Sequence, residues 1–296
     1  MELFNSGKPF WKGNLHCHTT LSDGRRTPEE AKKLYREMGY DFLTLTDHRK
    51  FSEPTHMEDG LLVLKGMEAD YFLPSEVLHM VCFGMEESIH DEPEMPLPRN
   101  LQHCIDLTRK HGGRVILAHP AWSLNTLETM SGLHDVSAAE IYNSMSTIPW
   151  NGDRADSSVL LDIAASHGIF YNFVASDDTH RYESEAGRSF TMIQADELTR
   201  ESLLEAFDAG RYFCSQGPLF EQISLEDGVI TVKCSPVEHI IFYSNSAWSA
   251  NRCQNGHGMT GAQYDLSVNA DRHETYIRIQ IIDEQGRSAW SNPIIL

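Results

Sequence analysis

Two histidines one residue apart are the first residues of this chain that could do chemistry. In Gly13-Asn14-Leu15-His16-Cys17-His18 a β-strand would turn both imidazoles to one face, because side chains alternate with period two. Two imidazoles at a strand end are a ready pair of metal ligands. Ligand-type residues recur at the ends of later apolar runs: His48 after 41–46, Glu68 after 61–66, His119 after 114–118, and Asp178 with His180 after 169–175. Imidazole and carboxylate without thiolate suit Zn, Mn or Fe rather than a purely structural zinc. So many ligands exceed what one ion uses. Two or three divalent ions are implied, with a carboxylate such as Glu68 bridging a pair. Neighbouring ions can turn a water into hydroxide near neutral pH and steady a leaving oxygen, which is machinery for hydrolysing phosphate esters.

The elements that would position these residues alternate along the chain. Residues 14–18 read as a short strand. Thr27-Pro28-Glu29-Glu30 starts a helix, with Thr27 as cap, Pro28 at the first helical position and Glu30 reaching back as a capping box. Ala31, Leu34, Tyr35 and Met38 follow at helical spacing, and Gly39 ends the helix. Further strands are expected over 41–46, 61–66, 79–84, 114–118, 138–142 and 169–175, with helices over about 99–111 and 154–167 and a loop from Pro93 to Pro98. Seven strands with helices between most of them imply a parallel sheet, and in a closed barrel of this kind the site lies at the C-terminal strand ends. His79 differs, standing at the start of its strand.

A last helix over about 198–209 leads to Gln216-Gly217-Pro218, after which the texture changes. Ile277, Ile279 and Ile281 alternate with Tyr276, Arg278 and Gln280, and turns fall at Glu226-Asp227-Gly228 and Glu284-Gln285-Gly286. The expectation is an α/β barrel over 1–215 followed by a small antiparallel β-sandwich over 216–296.

Composition bounds the function. The chain has 296 residues, 41% of them apolar, and a formal charge of −19, which argues against a nucleic-acid polymer as partner. No apolar run approaches a membrane span, and Met1-Glu2-Leu3-Phe4-Asn5-Ser6 has neither the basic start nor the apolar core of a secretory signal. Cys17, Cys82, Cys104, Cys214, Cys234 and Cys253 lie far apart without a Cys-x-x-Cys pair, which fits reduced thiols and a cytoplasmic protein. Cys17 would face away from the two histidines as a small buried side chain.

Taken together, Leu15-His16-Cys17-His18 with Ser22-Asp23-Gly24, Leu45-Thr46-Asp47-His48, Gly66-Met67-Glu68, Ala118-His119-Pro120 and Asp178-Thr179-His180 resemble the PHP (polymerase and histidinol phosphatase) family, in that family's order and over about residues 10–190. The resemblance implies a distorted (β/α)7 barrel, a trinuclear metal site and phosphoesterase activity. It implies His16, His18, Asp23, His48, Glu68, His79, His119, Asp178 and His180 as ligands. The Ala289-Trp290-Ser291-Asn292-Pro293 ending looks like the carbaryl-hydrolase-related branch, in which a small β-domain follows the barrel. The family's last motif usually reads Ser-Asp-x-His; here Ser176-Asp177-Asp178-Thr179-His180 offers two aspartates, of which the spacing favours Asp178 and leaves Asp177 as the fallback.

Arg25, Arg49 and Arg181 flank these motifs and suit bidentate phosphate binding, or are solvated loop residues. Asn143 could bond substrate or cap a loop. Trp122 and Trp150 could stack a base or pack under loops. His48 or His180 could protonate a leaving oxygen. His56, His90, His103, His111, His134, His167, His239, His257 and His273 stand outside any motif. The expected function is a metal-dependent phosphoesterase on a small phosphorylated molecule, a sugar phosphate or nucleotide, through a metal-activated hydroxide. The alternatives are hydrolysis of a carbamate, amide or ester at the same site, and a non-catalytic metal-binding module. The oligomeric state stays open.

Overall fold

A computed structural model describes residues 2–4, 7–87, 101–149 and 151–296. The Pro93–Pro98 loop, His90, Trp150 and the start of the helix expected from residue 99 lie outside the described residues. In chain order, β1 (Glu2–Phe4) and β2 (Phe10–Asn14) precede α1 (Pro28–Glu37), then β3 (Phe42–Thr44), β4 (His56–Glu58), β5 (Leu61–Leu64), β6 (Gly66–Phe72) and β7 (Val77–Phe83). Next come α2 (Leu101–Lys110), β8 (Arg114–Leu117), short α3 (Pro120–Ser123) and α4 (Leu127–Ser131), β9 (Ala138–Asn143), α5 (Ser158–Ser166) and β10 (Asn172–Ser176). The chain continues with β11 (Phe190–Gln194), α6 (Arg200–Asp208), β12 (Tyr212–Ser215) and β13 (Phe220–Glu226). It ends with β14 (Val229–Tyr243), β15 (Cys253–Asp265), β16 (Tyr276–Ile282), β17 (Ser288–Ser291) and β18 (Ile294–Ile295).

The fold is mixed α/β, but the sheet does not close into a barrel. β2, β3 and β5 pair in parallel within a 13-stranded sheet, while β10, β9, β8, β7 and β6 form a second sheet of five. The two sheets meet at isolated bridges, His48 to Glu68 at one seam and Cys17 to Thr179 at the other. The strands thus surround a shared interior without a continuous ladder. The expected all-parallel order also fails at β7, which runs antiparallel to both β6 and β8. That reversal brings the start of β7, with His79, to the same end as the termini of its neighbours.

Two boundaries differ from expectation for a related reason. The ladder of β2 stops at Asn14, so His16 and His18 lie in chain just beyond it, and Glu68 lies inside β6 rather than at a strand end. α1 begins as its sequence dictates: Thr27 accepts from the Glu30 amide, and the Glu30 carboxylate accepts from Thr27 N–H.

The C-terminal strands are antiparallel, and they are continuous with the larger sheet. β12 pairs β11 on one side and β17 on the other, and β1 joins β13. A core of Phe4, Phe213, Ile223, Ile240, Phe242, Ile279 and Ile281 fills this end, whereas Leu15, Phe42, Leu64, Ile116, Val174 and Phe207 pack in the interior next to the ligand-bearing strands. Each such side chain contributes about 1.5–3 kcal/mol by leaving water. No helix among the described residues is long and apolar enough to cross a membrane.

Candidate metal centre

Going round the strands, β2, β3, β6, β7, β8 and β10 bring His16, His18, His48, Glu68, His79, His119 and Asp178 to one mouth. Asp23 arrives on the loop after β2, and His180 on the chain after β10. Together with Arg25, Trp122, Met145, Ser146, Asn151 and Arg181, seven of these nine line a cleft of about 400 Å³; His16 and His18 lie beneath it, fully buried. Four overlapping sets of ligand atoms converge: His18–Asp23–His48–His180, His16–His18–Asp178, His16–Glu68–His119 and His48–Glu68–His79.

The distances fit a small cation. Nε2 of His16 lies 3.1 Å from Nε2 of His18, 3.3 Å from Glu68 Oε2 and 3.2 Å from Asp178 Oδ1. Nε2 of His18 lies 3.1 Å from each of those two oxygens. Ligands held at ~2.0 Å around a tetrahedral zinc stand about 3.3 Å apart, so these separations are those of donors sharing an ion. Orphaned atoms point the same way: His18 Nδ1, His48 Nδ1, His79 Nε2 and Asp178 Oδ1 are buried without a hydrogen-bond partner. Glu68 divides its oxygens, Oε2 facing His16, His18 and His48 while Oε1 faces His79 at 2.9 Å and His119 at 3.5 Å. A bridging carboxylate has that disposition.

Backbone and side-chain supports hold the donors. Asp47 is buried and accepts from Thr19 N–H (2.8 Å), Thr19 Oγ1–H (2.7 Å), Ser22 N–H (3.0 Å) and Ser22 Oγ–H (2.7 Å), which fixes the loop carrying Asp23. That loop crosses the backbone of His18 so closely that a Cβ on Gly24 would lie 2.3 Å from the His18 carbonyl oxygen, so only glycine fits. Asp178 (φ 54°) and His119 (φ 33°) have left-handed backbone, an uncommon conformation for side-chain-bearing residues. The second aspartate plays another part. Asp177 turns away and accepts from the amides of Gly187, Arg188 and Ser189 and from the Tyr35 hydroxyl.

Charge is balanced inside the cluster. Burial alone would pull His16 down, but the carboxylates of Asp178, Glu68 and Glu140 outweigh it and hold the imidazole well above its usual range. Burial likewise opposes protonation of His18, and Asp178 with Glu68 carries it up to about 9. Burial would raise Glu68 and Asp178, yet the surrounding histidines keep both carboxyls well below the usual range. His48 goes the other way: burial lowers it, with the nearby Glu68 only partly offsetting this. Divalent ions would take over this balance and release the imidazole protons.

The residues expected to hold substrate separate. Arg25 and Arg181 line the cleft. Arg49 instead donates from Nε to Asp70 Oδ1 (2.8 Å) and from Nη2 to the Asp70 carbonyl (2.9 Å). Asn143 is buried and donates to Glu140 Oε2 and Asp178 Oδ2 while its own oxygen accepts from Ser146, so it braces the site from within. Trp122 packs edge-on against His119 at 4.9 Å and His79 at 5.9 Å between ring centroids. Sequence reading missed Glu140, a fully buried carboxylate in the middle of β9. A charged residue inside the run Ala138-Ala139-Glu140-Ile141 was the available signal. Away from the mouth, Glu53, His56 and Glu58 also cluster, but Lys32 Nζ bridges both carboxylates at 2.8 and 2.7 Å.

No family model and no curated protein matches the chain. Among solved structures it is similar to a two-domain protein from Bacteroides vulgatus described as containing a predicted PHP-like metal-dependent phosphoesterase, with 13% identity, TM-score 0.53, and 98% of this chain and 95% of that one covered. A candidate metal-dependent phosphoesterase from Bifidobacterium adolescentis matches with 18% identity and TM-score 0.41 over 64% of this chain and 95% of its own. An amidohydrolase from Chromobacterium violaceum matches with 15% identity and TM-score 0.43 over 68% and 96%. The first likeness is one of fold and extends over nearly the whole of both chains, C-terminal strands included. It agrees with the PHP resemblance of the motifs.

Proposed function

We propose that this chain is a metal-dependent phosphoesterase acting on a small phosphorylated molecule, with two or three divalent ions held by His16, His18, Asp23, His48, Glu68, His79, His119, Asp178 and His180. The observation that carries this reading is the 3.1–3.3 Å spacing of His16 Nε2, His18 Nε2, Glu68 Oε2 and Asp178 Oδ1, with further donor sets sharing the same residues. The ions would supply an activated water and stabilise charge on the reacting phosphate. Arg25 and Arg181, on the cleft wall, hold the phosphate oxygens by charge-assisted hydrogen bonds. His48 and His180 have the most exposed side chains of the candidate histidines, 27% and 18%, so whichever of the two is not taken up by an ion is the one to pass a proton to the leaving oxygen. His180 Nδ1–H donates to the Asp178 carbonyl, which turns Nε2 toward Asp23 and the cleft.

A second reading, hydrolysis of a carbamate or ester, is favoured by Trp122 and Met145, which give part of the wall an apolar surface. One screen separates the two. The purified protein, with its metal content measured, is offered sugar phosphates, mononucleotides, phosphodiesters, carbamates and esters. Phosphate release that is lost in His16→Ala is the expected result. Turnover of carbamates or esters alone would replace the phosphoesterase reading with the second one.

A further inference from the structure

Glu140 joins three of the donors from behind. Its Oε1 lies 2.9 Å from His16 Nδ1. Its Oε2 accepts from the backbone N–H of His119 (2.9 Å) and from Asn143 Nδ2 (2.7 Å), and that same Asn143 nitrogen reaches Asp178 Oδ2 at 3.1 Å. Glu140 and Asn143 are fully buried, and Glu140 does not line the cleft. With Oε2 already accepting from two N–H donors, Oε1 is the oxygen left to accept from the imidazole, and the nitrogen facing it carries the hydrogen. In the neutral, ligating form of His16, Nε2 is then left with its lone pair aimed at Nε2 of His18 and at Glu68 and Asp178.

We propose that Glu140 is a positioning residue that sets the His16 tautomer, and through it the affinity of the innermost cation site formed by His16, His18, Glu68 and Asp178. The inference rests on the metal-dependent reading. Outer-shell carboxylates that hold a ligating histidine act on the ion through the ring they orient. Here one carboxylate also fixes the His119 backbone and, through Asn143, the Asp178 side chain.

Glu140→Gln separates orientation from packing, since it keeps the shape of the side chain. Its single oxygen can serve either His16 or the pair His119 N–H and Asn143 Nδ2. Serving the pair satisfies two buried donors, and the amide NH2 then faces His16 Nδ1. The His16 hydrogen is displaced to Nε2, toward the cation site, where it blocks a lone pair. The expected result is ~10- to 100-fold weaker binding of one Zn2+ or Mn2+ equivalent, read by calorimetric titration of stripped protein. Binding at the remaining positions and the circular dichroism spectrum should change little. In 15N-histidine NMR spectra of zinc-loaded protein, His16 should be protonated at Nδ1 in the wild type and at Nε2 in the variant.

Unchanged affinity in Glu140→Gln would overturn the inference, as would weaker binding with His16 still protonated at Nδ1. If the variant fails to fold, the wild-type spectrum decides alone: a His16 hydrogen on Nε2 overturns the proposal. Wild-type protein that takes up no divalent ion would instead overturn the metal-dependent reading itself.

Discussion

Oε1 of Glu68 on β6 lies 2.9 Å from Nδ1 of His79 on the antiparallel neighbour β7. In the ladder Glu68 pairs with Val81, and His79 with Asp70, so the contact is diagonal, between residues two positions apart on one face. A parallel β7 would have placed His79 at the far end of the sheet. The reversal of one strand is therefore what completes this side of the centre.

Because Glu68 faces five histidines, its removal should cost more than that of any single imidazole. Glu68→Ala is expected to lose at least one bound ion per chain. Activity should fall by more than about 100-fold, the upper end for supporting residues alone. Metal analysis beside turnover checks this. Full metal content in the variant would rule out a bridging role.

Stripping the metal should change the response to pH. In the absence of ions burial pulls the His18 imidazole down, but Asp178 and Glu68 outweigh it and push it up from its ordinary 6.5 to about 9. A raised histidine pKa adds stability fully present below ~6.5 and lost as pH rises through about 9. Ion binding needs neutral imidazole and strengthens over the same interval. Calorimetric scans should therefore show the Tm gap between loaded and stripped protein widening from pH 6 to pH 9. At ions 100-fold above Kd the gain is about 2.7 kcal/mol. A gap that narrows with rising pH would contradict the linkage.

Arg25 and Arg49 should part company in kinetics. Arg25 lines the cleft, whereas Arg49 is engaged by Asp70. Arg25→Gln and Arg181→Gln are expected to raise KM by about 10-fold, as for loss of a charged hydrogen bond worth ~1.5 kcal/mol. Arg49→Gln should leave KM within about 2-fold, and its half-exposed ion pair is worth at most ~1 kcal/mol of stability. Equal effects at 25 and 49 would count against this division.

What could be read from the sequence follows from what spacing encodes. His16 and His18 announce a shared face because the strand period is two, and Thr27 with Glu30 announces a helix start because the cap is local. Strand direction is not local: nothing in Val77–Phe83 says that it runs antiparallel to its neighbours, and Glu140 looks like one more residue of β9 until His16 is brought against it. The same holds for Arg49, whose guanidinium could reach phosphate or Asp70, and for the two aspartates of Asp177-Asp178, which only the left-handed turn at 178 separates. β11, β12 and β17 carry the larger sheet from β2 toward the C-terminal strands, a long-range pairing that alternating Ile277, Ile279 and Ile281 could not reveal.

Asp47 offers a test of support without contact to the cleft. Asp47→Asn replaces an acceptor of four hydrogen bonds with a group that can accept at only one oxygen. Leaving the buried Thr19 donors or the half-buried Ser22 donors unmet should destabilise the fold by about 1–3 kcal/mol. The Asp23 loop should loosen with it. Denaturant titration would give the first number, and weakened metal binding with the His16 tautomer unchanged would locate the damage at the outer cluster.

One buried cation ties the C-terminal strands to α5, beside the Tyr276 hydroxyl that donates to the same Asp162. Arg278 of β16 has a side chain only 1% exposed and donates from Nε (2.6 Å) and Nη2 (2.5 Å) to Asp162 of α5, while its guanidinium lies 4.0 Å from the centroid of the Tyr243 ring. A planar fork between a carboxylate and an aromatic face is a task lysine cannot reproduce. Removing one partner of a buried pair costs about 3–5 kcal/mol, and the low end applies because Asp162 retains 22% exposure. Arg278→Met should thus lower stability by ~3 kcal/mol, and Arg278→Lys should recover only part of it. Metal content should stay at the wild-type level in both, because α5 and β16 contribute no donor to the mouth. Loss of bound ions in Arg278→Met at a temperature where the variant remains folded would mean that the C-terminal strands hold the centre together, not merely the sheet.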